Sequence, residues 1–553
     1  MQKENKLTLP ALFQDAVGKH GDRDALAFVG KTPLTYNKTN GKIQALMAYM
    51  EQLGLEPGDK AAILSSNMPN WGIAYLAIVS MGAVVVPLLP DFHPNEVRNI
   101  LRHSESKVVF VSEGLRSKVP AMEESFLQRV LKIEDFSLIN DGEGVPAFDE
   151  TAEPQGNYRI EEQDPASIIY TSGTTGKSKG VMLTHRNIAF TAEQVLNIQP
   201  VTPEDRMLSI LPLSHTYENT LGFLLPLFNG ASIYYLSKPP TPSILVPAMK
   251  KVRPTLMLSV PMVIEKIYRN KILPGLTGKK HMRMLYGIPP IRKKLNRIAG
   301  KKLYETFGGR LKFFGIGGAK LDPKVEKFLQ EARFPYAIGY GLTETSPLLA
   351  GTNAKNTRLQ STGPAMKGVE LKIHNPDPTT GEGEVWARGD NVMMGYYKDP
   401  EKTREVLTED GWFKTGDLGV FDKNDFLFIK GRLKNMIVGE NGENIYPEEI
   451  ESEINNFHHV VESLVVREKG KLVAMVHFNR DEIVQKYHEL REEVHQYAEE
   501  KIEDLSKELR EYINSRVNRF SRIQHVLVQY EPFEKTATQK IKRYLYNRLN
   551  NKN

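Results

Sequence analysis

The sequence predicts an α/β protein with a large N-terminal domain and a small C-terminal domain. Short β-branched runs alternate with helical stretches between residues 60 and 316, which is the pattern of doubly wound parallel sheets. After Thr362 the sequence pattern changes to short predicted strands rich in Gly and Asp, which is typical of a small β-barrel or a distorted sheet. The 553 residues exceed what a single core accommodates. We therefore expect two doubly wound subdomains and a small β-barrel in residues 1–433, and an α+β domain in residues 434–553.

The alternation of strands and helices occurs twice, on either side of an acidic linker at residues 141–164. The first block predicts strands at Lys60–Leu64, Val84–Leu88 and 107–111, with helices from about Asn70 and after Pro94. The second block predicts strands at 206–211, 231–235, Leu256–Ser259 and 311–316, with helices around 217–228 and 244–252. The C-terminal region predicts strands at 463–467 and 473–477 and a helical stretch at 481–519. Ligands of such parallel sheets bind at the carboxyl ends of the strands.

Composition excludes several classes of site. The chain has no cysteine, which excludes disulfides, thiolate metal ligands and a thioester on the protein itself. The sequence is 40% hydrophobic and 25% charged, and no apolar run reaches the ~18 residues that a membrane span needs. A net charge of +6 is small for this length and does not suggest a nucleic-acid partner. The first residues are polar and charged with no signal peptide, so we expect a cytoplasmic protein.

One segment concentrates positive charge. Between Lys279 and Lys302 there are nine Lys or Arg residues and no acid, interleaved with Met, Leu, Ile and Tyr. This pattern is typical of an amphipathic segment lying on an anionic bilayer. The alternative is a solvated basic helix face. Peripheral contact with the inner face of the membrane is therefore a hypothesis.

Residues 168–180, IIYTSGTTGKSKG, have the composition of a phosphate-binding loop. They do not form a Walker A motif, because that spacing requires glycine at position 171, which is Thr. Glycines nevertheless allow the backbone to approach an anion, while hydroxyl groups and lysines supply donors and positive charge. A Gly/Ser/Thr surface loop without function is the alternative. The candidate phosphate-binding residues are Thr171, Ser172, Gly173, Thr174, Thr175, Gly176 and Lys177.

Four further motifs accompany this loop in a fixed order. They are Gly339-Tyr-Gly-Leu-Thr-Glu344, Thr415-Gly-Asp-Leu-Gly419, Gly431-Arg-Leu-Lys-Asn-Met-Ile437 followed by Gly442-Glu-Asn-Ile-Tyr-Pro-Glu-Glu449, and Lys535-Thr-Ala-Thr-Gln-Lys-Ile-Lys-Arg543. Together the five motifs resemble the adenylate-forming superfamily of acyl-CoA synthetases, peptide-synthetase adenylation domains and luciferases, over nearly the whole chain. The resemblance implies a two-step ligase that uses ATP, Mg²⁺ and coenzyme A. A carboxylate would displace pyrophosphate to give an acyl-adenylate, and a thiol would then displace AMP.

The resemblance also assigns residues to the nucleotide. Tyr340, followed by Gly341, is expected to stack on adenine, and Gly317, Gly318 and Ala319 to line its edge. Asp417 and Arg432 are expected at the ribose hydroxyls. The expected catalytic residues are Thr343 at the α-phosphate, Glu344 as the Mg²⁺ ligand, and Lys540 as the cation that stabilises the pentavalent α-phosphate. Taken singly, these residues would also suit a core tyrosine, turns, a helix cap and a surface lysine.

Further sequence features concern the acid and thiol substrates. A long insertion before Gly317 and the string Leu211-Pro-Leu-Ser-His-Thr-Tyr-Glu218 resemble the long-chain fatty acid:CoA ligase branch. His215 is expected at the entry to the acyl site, although a buried histidine satisfied by the backbone is an alternative. Gly442 is expected beside the pantetheine arm. The tail motif has Ala537 and Gln539 where the superfamily commonly has Pro and Gly, and the long-chain branch tends to lack that Gly.

Two other functions are compatible with parts of this pattern. One is a ligase of the same fold that delivers its acyl-adenylate to an acyl-carrier protein. The other is a non-catalytic protein that binds AMP or an acyl group. The non-catalytic alternative is disfavoured, because a catalytically inactive relative is expected to lose at least one of the residues Glu344, Asp417, Arg432 and Lys540, and all four are present.

The resemblance places Lys434 at the hinge about which a mobile C-terminal domain turns between the two half-reactions. Proline fixes φ near −65° and so removes the backbone freedom that a hinge requires. We predict that Lys434→Pro retains acid-dependent ATP–pyrophosphate exchange and loses thioester formation. Equal loss of both half-reactions would contradict the hinge assignment.

Overall fold

A computed structural model of the chain describes residues 6–121, 126–139, 146–172, 178–438, 444–468, 470–480, 483, 494–536 and 540–546. The α/β fold class with two doubly wound subdomains and a C-terminal domain is confirmed. Within the described ranges, no helix combines the length and the apolar character needed to cross a bilayer.

The first subdomain is built on a seven-stranded sheet. Its spatial order is Gly395–Tyr396, Ser178–Thr184, Pro165–Ser172, Val84–Leu88, Lys60–Leu64, Ser106–Val111 and Arg129–Lys132. The five strands from Pro165–Ser172 onward are parallel, and the other two are antiparallel additions at one edge. The strands of the parallel part are almost fully buried and rich in Val, Ile and Ala, as expected for a sheet covered by helices on both faces.

The second subdomain contains an eight-stranded sheet. Its spatial order is Leu348–Gly351, Tyr336–Gly341, Phe313–Ile316, Leu256–Ser259, Arg206–Ser209, Ser232–Tyr235, Asp24–Phe28 and Leu34–Thr35. The six central strands are parallel, and the outer strands pair antiparallel. The predicted strands agree with the observed ones to within a few residues at their ends.

A third sheet is antiparallel, in the order Glu370–His374, Gly383–Arg388, Phe413–Phe421 and Leu427–Arg432. Pairing runs along this series, and the first strand does not pair with the last. Of the two predicted forms, the distorted sheet therefore describes this part better than a closed barrel.

Proline begins many of the helices, because at the first turn its missing N–H removes no hydrogen bond. Within the described residues, the α-helices are Leu9–His20, Tyr36–Gln52, Pro69–Ser80, Pro94–Ser104, His185–Gln194, Leu225–Phe228, Pro242–Val252, Pro261–Ile267, Leu273–Thr277, Lys280–Tyr286, Pro289–Thr306, Pro323–Ala332, Pro400–Val406, Pro447–Ile454 and Val494–Asn514. Short 3₁₀ helices include Thr343–Thr345, Leu433–Asn435 and Arg543–Leu545.

The helix predicted around 217–228 differs from expectation. Residues Tyr217–Leu224 form a π-helix, and only Leu225–Phe228 is α-helical. Pro226 has no N–H with which to continue an α-helical hydrogen bond to Gly222. π-helical turns occur frequently at functional sites.

The C-terminal domain has its own core. Its sheet has the order Val460–Glu468, Lys471–Phe478 and His525–Val528, and the helices Pro447–Ile454 and Val494–Asn514 pack with it. Its polar contacts with the N-terminal part include Arg269 Nη1 to the Asn455 carbonyl at 2.7 Å and Lys324 Nζ to the Tyr512 hydroxyl at 3.3 Å. The domain boundary after residue 433 stays a prediction.

Candidate active site

Loops that follow neighbouring parallel strands meet at one edge of the eight-stranded sheet. Strands Arg206–Ser209, Leu256–Ser259, Phe313–Ile316 and Tyr336–Gly341 lie side by side and run in one direction. The first leads to His215, the third leads to Gly317, and the last carries Tyr340. These predicted residues therefore share the carboxyl edge of the sheet, where α/β proteins bind their ligands.

Tyr340 is joined to two residues of the small antiparallel sheet. Its hydroxyl donates a hydrogen bond to Asp417 Oδ2 at 2.7 Å, and Arg432 Nε lies 2.8 Å from Asp417 Oδ1. Asp417 and Arg432 face one another on paired strands. The Asp417 side chain is 7% exposed and that of Arg432 is 46% exposed. The carboxylate is thus fixed within the site, while the guanidinium remains accessible to a ligand.

The electrostatics of Asp417 reflect this position. Burial raises the pKa of its carboxyl above the ordinary value, and nearby Glu344 acts in the same direction. Arg432, the Tyr340 hydroxyl and Lys540 all oppose the shift by favouring the ionised form. The two predicted ribose residues and the predicted catalytic lysine therefore belong to one electrostatic group.

Lys540 approaches this group from the C-terminal domain. Desolvation by the surrounding protein is the main cause that lowers the pKa of Lys540, and repulsion from Arg432 adds to it. Asp417 and Glu344 act in the opposite direction. The Lys540 side chain is still exposed to solvent, so it projects into an open cleft between the domains and is not part of a closed core.

Glu344 lies beside the same cleft in the 3₁₀ helix Thr343–Thr345. Its Oε1 accepts a hydrogen bond from the Tyr396 hydroxyl at 2.9 Å, which fixes the carboxylate. Thr343 is half-buried next to it. The described residues contain no cluster of three His, Asp or Glu side chains that would hold a metal by protein ligands alone. A single carboxylate is nevertheless a suitable partner for Mg²⁺, which commonly takes one or two carboxylates together with substrate phosphates.

Glycines at the predicted adenine site are favoured by close packing or by backbone conformation. A Cβ on Gly341 would lie 1.8 Å from the Pro347 carbonyl oxygen, and one on Gly317 would lie 3.2 Å from the Tyr217 ring. Gly318 has φ +86°, a conformation that L-residues with side chains rarely adopt. Gly317 is buried, whereas Gly318 and Ala319 are exposed and therefore accessible to a ligand.

His215 and Tyr217 connect the nucleotide edge to an apolar cavity. Burial, with a contribution from Lys540, lowers the pKa of His215 to about 4, so its ring is neutral at pH 7. Its Nδ1 accepts a long hydrogen bond from the Tyr217 amide at 3.4 Å. The cavity behind Tyr217 is narrow and lined almost entirely by apolar groups. Its walls include Leu221, Leu225, Leu258, Phe313, Gly315 and Ile338.

Several predicted residues lie outside the described residues: Gly173, Thr174, Thr175, Gly176, Lys177 and Gly442. Thr171 and Ser172 end a strand that pairs antiparallel with Ser178–Thr184, with Ser172 opposite Ser178. The predicted phosphate loop therefore connects the two strands of a hairpin. The hinge candidate Lys434 is exposed, and its charge contributes to lowering the pKa of Lys179, so it lies near the start of the second hairpin strand.

Two residues near the site were not among the predicted site residues. Lys179 lies with Nζ 4.7 Å from the centre of the Tyr396 ring, and its pKa is lowered first by burial and then by Lys434. Tyr396 is the residue that holds Glu344. Lys179 could have been included from the sequence, because it follows the Gly-rich loop directly. The Tyr396–Glu344 contact joins residues 52 positions apart and has no local signal.

A buried acid lies on the other side of the π-helix. Glu218 is fully buried, and neither of its carboxylate oxygens makes a well-formed hydrogen bond among the described residues. A Cβ on Gly222 would lie 2.7 Å from the Glu218 carboxyl carbon, so this glycine makes room for the acid. Burial raises the pKa of Glu218 to about 8, although Ser209 and the Ile210 amide oppose the shift. Glu218 is therefore neutral at pH 7.

Residues 13–397 match the AMP-binding enzyme family. The chain belongs to this family. It is 29% identical over 491 residues to the long-chain-fatty-acid–CoA ligase heimdall of Drosophila melanogaster, covering 80% of this chain and 72% of the relative. It is 28% identical over 523 residues to the long-chain-fatty-acid–CoA ligase ACSBG2 of Gallus gallus, covering 86% and 68%. A long-chain-fatty-acid–[acyl-carrier-protein] ligase of Arabidopsis thaliana chloroplasts, AEE15, is 28% identical over 564 residues, covering 86% and 76%.

Solved structures of similar fold extend over the whole chain. The anthranilate CoA ligase AuaEII in complex with anthranoyl-AMP superposes with a TM-score of 0.77 at 19% identity, covering 98% of this chain and 96% of that one. ATP-bound MatB from Rhodopseudomonas palustris superposes with a TM-score of 0.75 at 24% identity, covering 98% of this chain and 99% of that one. At these identities the likeness shows the fold alone, and it extends over nearly the whole chain.

The neutral state of Glu218 predicts a pH dependence of stability. Its pKa is about 8 in the folded protein and 4.5 as the model value, so the folded state binds more protons between these values and the free energy of unfolding falls as pH rises. We expect Glu218→Gln to remove this contribution, so that its free energy of unfolding rises relative to that of the wild type as pH increases. Each pKa unit corresponds to about 1.4 kcal/mol. Urea unfolding between pH 5 and 8.5 measures the difference. Glu409→Gln, at an exposed glutamate, is the control, and equal slopes for wild type and Glu218→Gln would contradict the assignment.

Proposed function

We propose that the protein is an AMP-forming acid–thiol ligase that activates a long-chain fatty acid as acyl-AMP and transfers the acyl group to coenzyme A. The observation that carries this proposal is the proximity of Lys540, from the C-terminal domain, to Asp417, Arg432 and Glu344 in the N-terminal domain, where Asp417 also accepts a hydrogen bond from Tyr340. A protein that only bound a nucleotide would not need a cation brought into the site from a separate domain.

Each half-reaction forms one covalent bond and breaks another. In the first, a fatty acid oxygen attacks the α-phosphorus of ATP, the bond to the β-phosphate oxygen breaks, and pyrophosphate leaves. Negative charge accumulates on the pentavalent phosphorus, where the Lys540 ammonium and the Thr343 hydroxyl would stabilise it. In the second, the thiolate sulfur of coenzyme A attacks the acyl carbon and AMP leaves. The tyrosine, aspartate and arginine group would hold the adenosine in both steps.

Glu344 would hold Mg²⁺ together with the phosphates of ATP. The metal would supply positive charge to the pyrophosphate leaving group. The hydrogen bond from Tyr396 supports this role. It orients the Glu344 carboxylate through Oε1 and does not involve the second carboxylate oxygen. Thr171 and Ser172, with Gly173, Thr174, Thr175, Gly176 and Lys177, are proposed to surround the departing phosphates.

The apolar cavity behind Tyr217 supports a fatty acyl substrate. The surface that lines it is almost entirely apolar, which suits an alkyl chain. His215, neutral and next to the cavity, is proposed to lie at the junction between the acyl carboxylate and the chain. The relatives named as long-chain-fatty-acid–CoA ligases favour the same substrate class.

The acceptor thiol has an alternative source. The Arabidopsis relative is named as an acyl-carrier-protein ligase, so a carrier protein is the second candidate acceptor. Gly442 is proposed to lie beside the pantetheine arm, which both acceptors share. A comparison of free coenzyme A with a carrier protein separates the two functions.

The proposed reaction is tested by ATP–pyrophosphate exchange with fatty acids from short to long chain length, measured together with coenzyme A-dependent release of AMP. We expect both activities to be highest with long chains. Lys540→Ala should lower exchange by about 10²–10³-fold, since it removes the cation at the α-phosphate.

Lys542→Ala, two residues away and half-buried on the same segment, is the matched control and should retain exchange. Exchange without use of free coenzyme A would favour the carrier-protein ligase. No exchange with any acid would overturn the ligase proposal in favour of a non-catalytic binding protein.

We also propose that residues between Lys279 and Lys302 contact an anionic membrane. These residues lie in helix Lys280–Tyr286, which has no buried residue, and in helix Pro289–Thr306, which buries only Asn296, Gly300 and Leu303. Arg292 pairs with Glu331 at 2.9 Å, whereas the other eight cations make no ion pair with any described residue. Met284, Ile288 and Ile298 are 72%, 44% and 52% exposed. Unpaired cations interspersed with exposed apolar side chains suit an anionic lipid surface.

Vesicle binding tests this surface. We expect the protein to sediment with phosphatidylglycerol-containing vesicles at low salt and much less with neutral phosphatidylcholine vesicles. Lys293→Glu/Lys294→Glu should weaken binding to anionic vesicles about tenfold or more, because it changes the charge by four units where about 1 kcal/mol is gained per cation. Lys355→Glu/Lys423→Glu, at exposed lysines elsewhere, makes the same change in net charge and is the control. Unchanged binding by the first variant would overturn the proposal.

A further inference from the structure

The segment that carries Lys540 folds back on itself. The Lys542 amide donates to the Glu534 carbonyl at 2.8 Å, and the Thr536 amide donates to the Lys540 carbonyl at 2.8 Å. Between these pairs, Lys535 forms an antiparallel bridge with Ile541. The three pairs keep a single register, so residues 534–536 and 540–542 form the two arms of a hairpin, which we call the lysine hairpin.

Alternation along the arms determines which way Lys540 points. In paired strands, side chains at successive positions lie on opposite faces, so Lys535 and Ile541 share one face while Thr536 and Lys540 share the other. Ile541 packs against the cluster of Leu464, Val466, Val473, Met475 and Phe533 in the C-terminal domain. The opposite face, with Lys540, therefore points away from this domain and towards the nucleotide site.

The face that packs on the domain is fixed by an ion pair. Lys535 Nζ lies 2.5 Å from Glu462 Oε2, and the Glu462 side chain is only 12% exposed. The other oxygen of Glu462 accepts a hydrogen bond from the Phe533 amide at 3.0 Å. Since Glu462 belongs to strand Val460–Glu468, a single carboxylate connects the first arm of the hairpin, and the chain that leads to it, to the sheet of the domain.

The second arm is attached independently. Arg543 forms an ion pair with Glu451 of helix Pro447–Ile454, and Glu451 also accepts from the Val465 amide at 2.7 Å. The hairpin is thus attached to the domain at both of its ends, whereas Lys540 itself has no ion pair among the described residues. Its position in the cleft is determined by the hairpin and not by contacts of its own ammonium group.

We infer that Lys535 and Glu462 are positioning residues for Lys540: their ion pair sets the angle at which the lysine hairpin leaves the domain and so delivers the ammonium group to the α-phosphate. This inference rests on the proposed function. A displacement of about 1 Å at a reacting centre lowers rates as much as 10²-fold. Lysine has a flexible four-carbon side chain, so the backbone beneath it has to be well fixed.

The test compares the two half-reactions in full-length protein. Adenylation is measured as ATP–pyrophosphate exchange with a long-chain fatty acid, and thioester formation is measured from synthetic acyl-AMP and coenzyme A. The variants are Lys535→Met and Glu462→Gln, each of which removes the ion pair, and Lys535→Arg, which keeps it. Lys542→Met removes one positive charge from the same hairpin, where its Nζ lies 3.7 Å from the exposed Glu534, and is the matched control.

We expect Lys535→Met and Glu462→Gln to lower kcat for exchange by about tenfold or more, with little change in KM for ATP, while thioester formation from acyl-AMP stays within about twofold of wild type. Lys535→Arg and Lys542→Met should retain exchange. Normal exchange in Lys535→Met or in Glu462→Gln would overturn the inference, as would a Lys535→Arg variant as impaired as Lys535→Met. Parallel loss of both half-reactions would show a merely structural ion pair. Absence of exchange in the wild-type protein would instead overturn the proposed function.

Discussion

The ion pair between Asp417 and Arg432 is the interaction on which the candidate site depends. It joins two strands of the small antiparallel sheet, and the Tyr340 hydroxyl attaches it to the carboxyl edge of the large parallel sheet. Removing Arg432 would be costly, because the buried carboxylate of Asp417 would be left without a compensating charge. The pair therefore fixes the relative position of two sheets, and Arg432 lies just before the 3₁₀ helix that leads into the C-terminal domain.

The fold was largely predictable because its signals are local. β-branched or apolar runs flanked by turn residues predicted the strands Lys60–Leu64, Val84–Leu88 and Leu256–Ser259. The observed strands have the same bounds. The π-helix was not predictable in the same way, since residues Tyr217–Leu224 have an ordinary helical composition. Its geometry depends on the burial of Glu218 against Gly222 and on the missing N–H of Pro226, which are tertiary and backbone effects.

The site was predictable in part, and for two different reasons. Gly341 and Gly317 can be understood from physical need, because a side chain at either position would meet the Pro347 carbonyl or the Tyr217 ring. The importance of Lys540 came from the resemblance alone, since a lysine among other charged residues of the C-terminal tail has no local feature that distinguishes it. The contacts of Tyr396 with Glu344 and of Glu462 with Lys535 join residues far apart in the chain, so no pattern in the sequence indicates them.

The cations of the site indicate what kind of ligand it is built for. Repulsion from Lys434 contributes to lowering the pKa of Lys179, and repulsion from Arg432 contributes to lowering the pKa of Lys540, in both cases after burial. Two carboxylates, Asp417 and Glu344, oppose the lowering of the Lys540 pKa, and Asp417 is already engaged by Arg432. Placing cations close together in such pairs is unfavourable for the isolated protein and becomes favourable when a polyanion lies between them. The electrostatic arrangement thus suits a triphosphate independently of any single motif.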